Sequence, residues 1–79
     1  MDANYYIRKF HKIKLIYAIR QWRELNNLEC SILTGLITIG IYYLPEAKRA
    51  NLKQYLETNH PTLIKDIDIS NTRLIVYIK

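Results

Sequence analysis

The stretch Leu36–Leu44, "LITIGIYYL", decides the fold class. Ile37, Ile39, Ile41 and Tyr43 alternate along it, and β-branched and aromatic residues dominate, so it reads as a half-buried strand. Gly40 in its middle marks either a bulge or a close approach of another group to the backbone. The preceding "LECSIL", residues 28–33, is open between a helical turn and the beginning of the same strand.

Downstream, Pro45 stands at the first position of a helix, where its missing N–H costs nothing. Glu46 follows in the first turn, where a negative charge suits the helix dipole. The predicted helix spans 45–58 and buries Leu52, Tyr55 and Leu56. It stops before His60-Pro61, because a residue that precedes proline avoids the helical region. Two short strands close the chain. Leu63 to Ile69 places Lys65 with Ile67 and Ile69, and Arg73 to Ile78 alternates Leu74, Val76 and Ile78. Ser70-Asn71-Thr72 supplies the turn of the C-terminal hairpin.

Upstream, Leu15, Ala18, Ile19, Trp22 and Leu25 recur at helical spacing over Lys14–Asn26, with Arg20, Arg23 and Glu24 opposite. Asn26-Asn27 is a plausible stop, since Asn tolerates the left-handed conformation at a helix end. Tyr6, Phe10, Ile13 and Tyr17 also keep helical spacing, but their line runs about 180° around the axis, at about 100° per residue. Either one long helix buries opposite faces in its two halves, or a short arm "YYIRKF" precedes a helix that begins near His11. The long helix is the preferred reading. The expected fold is α+β, a single domain over residues 1–79 with order α-β-α-β-β.

Composition narrows the class further. At 79 residues and 49% hydrophobic content, a chain of this size has a marginal core, and domains like it often rely on a disulfide, a metal or a second subunit. The single cysteine, Cys30, excludes an internal disulfide and fits a reducing, cytoplasmic setting. Cys30, His11 and His60 are too far apart for a structural zinc site. A homodimer is therefore expected. The N-terminus runs straight into Tyr and charge, so no secretory leader is expected. Cys30 to Pro45, the longest uncharged run, falls short of the roughly 20 residues of a spanning helix, so no membrane partner is expected. Thirteen Ile, with plentiful Asn, Lys and Tyr, suggest an AT-rich source such as a phage or another mobile element.

The charge is unevenly placed. Residues 1–27 hold Arg8, Lys9, Lys12, Lys14, Arg20 and Arg23 against Asp2 and Glu24, whereas residues 28–79 hold six cations against five acids. Such asymmetry implies an anionic partner more readily than uniform basicity would. "YYIRKFHKIK" interleaves Tyr5, Tyr6 and Phe10 with four cations, the chemistry that grips phosphates and stacks single-stranded bases.

Catalysis finds little support. Cys30, Ser31, His11 and His60 stand in no nucleophile–base spacing, and Cys30 reads as a small buried hydrophobe. Asp66 and Asp68 share one strand face. Two carboxylates alone make a poor cation site, so they read as the solvent side of the hairpin. With two glycines there is no phosphate-cradling loop. No cofactor, metal or enzymatic role is expected.

Residues 51–79, "NLKQYLETNHPTLIKDIDISNTRLIVYIK", resemble the helix-plus-wing end of a winged-helix DNA-binding domain of the MarR/SarA kind. Leu52 and Leu56 would lie in the helix, Leu63-Ile64, Asp68 and Arg73 in the wing, and Val76-Tyr77 in its return strand. That family has two helices before its wing, where this chain has the strand-like "LITIGIYYL"; the resemblance therefore implies a degenerate winged helix, with Lys65 and Arg73 as wing contacts to phosphate.

The leading functional expectation is a small basic DNA- or RNA-binding accessory or regulatory protein. Its contact residues would be Arg8, Lys9, Lys12, Lys14, Arg20, Arg23, Lys65 and Arg73. The alternative is a phage-encoded inhibitor or adaptor that binds a host or defence protein. Its docking face would be Tyr6, Phe10, Ile13 and Tyr17, since aromatic anchors are what interfaces favour.

Overall fold

A computed structural model describes residues 3–79; Met1 and Asp2, the start of the expected domain, lie outside the described residues. The chain is an α+β domain of order α-β-β-α-β-β. Helix α1 spans Ala3–Leu25, followed by strands β1 (Ser31–Thr34) and β2 (Thr38–Tyr42), then helix α2 (Glu46–Asn59). A single 3-10 turn, Pro61–Leu63, leads into β3 (Ile64–Ser70) and β4 (Arg73–Ile78). The four strands form one antiparallel sheet in the order β1-β2-β4-β3. Two hairpins are thus joined edge to edge through β2 and β4.

The core lies between one face of the sheet and the two helices. Leu15, Ile19 and Trp22 of α1 and Leu52 and Leu56 of α2 pack against Ile39, Ile41, Ile67, Leu74, Val76 and Ile78. Registers match this division: Ile39 faces Val76 and Ile41 faces Leu74, all on the helix side. The other face of the sheet carries Thr38, Gly40, Tyr42, Ile75, Tyr77, Asp66 and Asp68, and an antiparallel sheet tolerates one solvated face.

The continuous long helix holds, with two corrections: the Tyr6-Phe10-Ile13-Tyr17 face is exposed, not buried, and Leu25 is 82% exposed. At about 100° per residue it sits past the edge of the buried stripe, and it is the last residue of the helix. The chain turns away at once, with Asn27 at φ 51°. The ambiguous "LECSIL" proves to contain a separate strand, β1, which folds back on β2 with Ile32 opposite Ile41.

β2 is shorter than "LITIGIYYL" suggested, because Tyr43 leaves the sheet. Its φ is 65° and its side chain is 73% exposed. A bulky residue in the left-handed region costs about 1–2 kcal/mol. The turn delivers Leu44 into the core at 1% exposure and lets its N–H donate to Thr72 O at 2.9 Å. Gly40 marks a close approach, not a bulge. Its registers with both neighbours are regular, and the Tyr42 ring lies where a Cβ would stand, as near as 2.7 Å.

Pro45 caps α2 instead of opening it: its carbonyl accepts from the backbone N–H groups of Lys48 and Arg49, both at 3.0 Å. In β3 the expected alignment of Lys65 with Ile67 fails. Ile64 pairs with Ile78 and Asp66 with Tyr77, so Lys65 is the extra residue of a bulge and points to solvent. Asp66 and Asp68 do share the outer face, and Asp66 Oδ1 accepts the Ile67 N–H at 2.8 Å.

Candidate interaction surface

Helix α1 outruns the rest of the domain. Its 23 residues measure about 34 Å at about 1.5 Å per residue, whereas the seven residues of β3 span about 23 Å at about 3.3 Å each. The molecule is accordingly 40 Å long and about half as wide. Every residue of α1 from Ala3 to Phe10 is exposed, and its first buried side chain is Leu15. The helix is fastened to the end of the sheet at two points. His11 Nδ1 donates to the Lys79 carbonyl at 3.0 Å, and Lys12 Nζ donates to the carbonyls of Gly35 and Leu36. Beyond them, α1 projects.

The outward face of α1 is not polar, either in the projecting part or beside it. Tyr6, Phe10, Ile13 and Tyr17 are each between half and two-thirds exposed. Around them stand Tyr5, Ile7 and Leu36, also exposed. Tyr5 and Tyr6 meet edge to face with centroids 5.5 Å apart. The predicted docking face is therefore a continuous apolar stripe in solvent.

Its lower part opens into a groove between α1 and the end of α2. Ile13, Tyr17 and Ala18 form one wall, and Tyr55 and Leu63 form the other. Lys14, Gln21, Asn59 and His60 rim it. Among the residues lining it there is no carboxylate. Lys14 reaches back over the stripe, with Nζ 4.6 Å from the Phe10 ring centroid, a cation–π geometry.

The eight predicted phosphate contacts do not form one surface. Arg8, Lys9 and Lys12 line a shallow pocket with Asn4, Tyr5, Ile13 and Leu36. Arg8 also lies beside Lys65, Lys79 and Tyr77, in company with Asp66 and Asp68. Arg23 is at the far end of α1, where Nη1 donates to Cys30 O at 3.0 Å. Arg73 is at the hairpin tip, its Nε donating to Ser70 Oγ at 3.0 Å. Of the six early cations, Lys12, Lys14 and Arg23 are engaged within the chain, while Arg8, Lys9 and Arg20 have no ion pair among the described residues. Among the described residues the ion pair is Lys53–Glu57 at 3.7 Å, away from the early cations.

The remaining candidates make contacts within the chain. Cys30 is partly buried and packs against the core. Burial pushes its thiol up, against the opposing pull of the Arg23 guanidinium, so it stays protonated at neutral pH. His60 ends α2, its N–H donating to Leu56 O at 2.8 Å. Trp22, 3% exposed, donates Nε1 to Asn51 Oδ1 at 2.8 Å and so ties α1 to α2.

Sequence reasoning missed Tyr55, His60 and Leu63 as surface partners of the stripe, because the second wall of the groove comes from a helix some forty residues away. It had placed Tyr55 in the core, where it is half-buried. No helix among the described residues is long and apolar enough to cross a membrane. Compared with protein-family models, with curated proteins and with solved structures, the chain matches none.

Proposed function

We propose that this protein is a non-enzymatic adaptor or inhibitor that binds another protein through the outward face of α1. The observation that carries the reading is the apolar stripe Tyr6-Phe10-Ile13-Tyr17, left in solvent although the same helix buries its other face from Leu15 to Trp22. Half-exposed aromatics of about 150–250 Å² each give the four residues roughly 400 Å² of apolar surface. That reaches the range of the largest patch on an ordinary monomer, a range often functional. It amounts to about half of one side of a standard interface.

A second reading is supported by a different feature. Arg8, Lys9, Lys65 and Lys79 gather with Tyr77 at the end of the sheet where α1 projects, which suits a phosphate backbone and a stacked base. The C-terminal α2-hairpin unit, in the winged-helix resemblance, would add Lys65 as a wing contact. Two features weigh against this reading as the leading one: Asp66 and Asp68 share that pocket, and Arg73 and Arg23 lie at the opposite end.

One experiment separates the two. The tagged protein is recovered from its native host with nuclease, at low and at high salt, beside a Phe10→Asp/Tyr17→Asp variant. The protein-partner reading expects a stoichiometric polypeptide that survives nuclease and salt and is lost with the variant. If the retained material is nucleic acid, elutes steeply with salt and is held equally by the variant, the second reading replaces it.

A further inference from the structure

This inference rests on the protein-partner reading and concerns what kind of segment occupies the surface. We infer that the groove between α1 and α2, continued by the α1 stripe, takes an acidic amphipathic helix from a different protein. Shape comes first. The stripe repeats at three- and four-residue steps on a straight helix, and the groove beside it has two apolar walls, Ile13-Tyr17-Ala18 and Tyr55-Leu63. An amphipathic helix presents anchors at that same spacing and seats them in such grooves.

Charge then selects the occupant. From Ala3 to Arg23, α1 contains six cations and no acid. Lys9 and Arg20 border the stripe on one side at about 100° per residue. Lys14 borders it on the other, inside the groove, with its ammonium over Phe10. An apolar strip between cationic edges, with no carboxylate among the groove's lining residues, complements a helix that carries Glu or Asp beside its apolar face.

The same charges exclude a second copy at this surface. Antiparallel α1–α1 packing that set Tyr6 against Tyr17 would bring Lys9 opposite Lys14. The other helix, α2, already buries its apolar residues Leu52 and Leu56 in its own core and carries three cations against two acids. No helix among the described residues is acidic and free, and the occupant is inferred to be foreign.

The test uses the full-length protein with three probes: a designed 18-residue helix with Leu at a, d and e and Glu elsewhere, the same peptide with Lys replacing Glu, and a peptide of residues 3–25. Binding is followed by anisotropy, and the site by amide chemical-shift changes. The Glu peptide is expected to bind at least about tenfold more tightly than either cationic peptide. The shifts should centre on Ile13, Lys14, Tyr17, Tyr55 and Leu63. Lys14→Glu should narrow or invert the preference, and Tyr17→Ala, a change at an exposed position, should weaken all binding without altering the circular dichroism.

Equal affinity for Glu and Lys peptides, or preference for the residue 3–25 peptide, overturns the inference. If Tyr17→Ala weakens the native partner while Lys14→Glu and Lys9→Glu leave it unchanged, the charge argument fails and the docking reading stands. If Tyr17→Ala leaves the native partner untouched, the docking reading itself fails. A single-stranded oligonucleotide and anionic vesicles run in parallel; shifts on the same residues from either, with none from the Glu peptide, also overturn it.

Discussion

Two isoleucines on α1, about 1.7 turns apart at about 3.6 residues per turn, offer a sharp test of how the helix divides its work. Ile19 is 0% exposed and packs in the core between α1 and the sheet; Ile13 is 57% exposed on the projecting stripe. Truncating a fully buried Ile to Ala removes its transfer free energy and leaves a cavity, a loss of about 2–5 kcal/mol. With little room to collapse against a rigid sheet, about 3 kcal/mol is the expected cost at Ile19. A 79-residue domain has roughly 4–12 kcal/mol of total stability. Ile19→Ala therefore removes a large share, and at an m-value of about 1 kcal/mol/M it lowers the urea midpoint by about 3 M. At Ile13 the same change loses partial contact on the helix surface and gains about 0.4 kcal/mol of helix propensity. The net should stay within about 0.5 kcal/mol. Urea titrations followed by Trp22 fluorescence, at two protein concentrations tenfold apart, read both numbers. If Ile13→Ala costs as much as Ile19→Ala, the stripe is packed in the isolated protein and the docking surface does not exist. If the Ile13→Ala cost grows with protein concentration, a second copy covers the stripe, and the charge argument against self-pairing is wrong.

Three further outcomes follow from single contacts. Asn51→Ala removes the acceptor of the buried Trp22 N–H; because Asn51 is itself exposed, water replaces it in part, and a loss near 1 kcal/mol is expected, with a shifted Trp emission maximum as the readout. Gly40→Ala should displace the Tyr42 ring from the strand backbone while changing stability by less than about 1 kcal/mol, since the gain of a side chain in a strand offsets the crowding; aromatic NMR shifts of Tyr42 report it, and an unchanged ring position would contradict the close approach. For Cys30, burial raises the thiol pKa and Arg23 lowers it, so the pH of half-maximal reaction with a disulfide reagent should lie above that of free cysteine, and Arg23→Gln should move it further up.

What the sequence revealed depended on how long each signal ran. The two phases of α1 were readable because each stripe repeats over about two to three turns, so the change of face between Tyr6-Phe10-Ile13-Tyr17 and Leu15-Ala18-Ile19-Trp22 stands out against the 3.6-residue period. The final strand was readable for the same reason, with Leu74, Val76 and Ile78 in strict alternation. β1 was not, because four residues with Ile32 alone against the core are shorter than the pattern needed to detect them. Lys65 was misplaced by the bulge between Ile64 and Asp66, since one extra residue inverts every face assignment upstream of it. Tyr43 was misplaced because its backbone enters the left-handed region, and nothing in an alternating apolar run announces that. The groove lay outside local reading altogether, its walls coming from residues 13–18 and 55–63.

The placement of charge and apolar surface on α1 is hard to explain as an economy of folding. A helical segment of about twelve residues without tertiary packing is marginal in water; Ala3–Lys14 holds its shape because it propagates from the packed half, and because His11 and Lys12 fasten it to the sheet end. Arg8 and Lys9 stand in the second turn of the helix, although the N-terminal end of a helix dipole favours negative charge. Local stability would be served by polar residues on the outer face. A segment that carries cations near its positive end and exposes aromatics gains from neither until something negative and apolar lies along it. An acidic amphipathic helix answers both with one contact: its carboxylates face Lys9 and Lys14, which border the stripe, and its apolar face removes Phe10, Ile13 and Tyr17 from water.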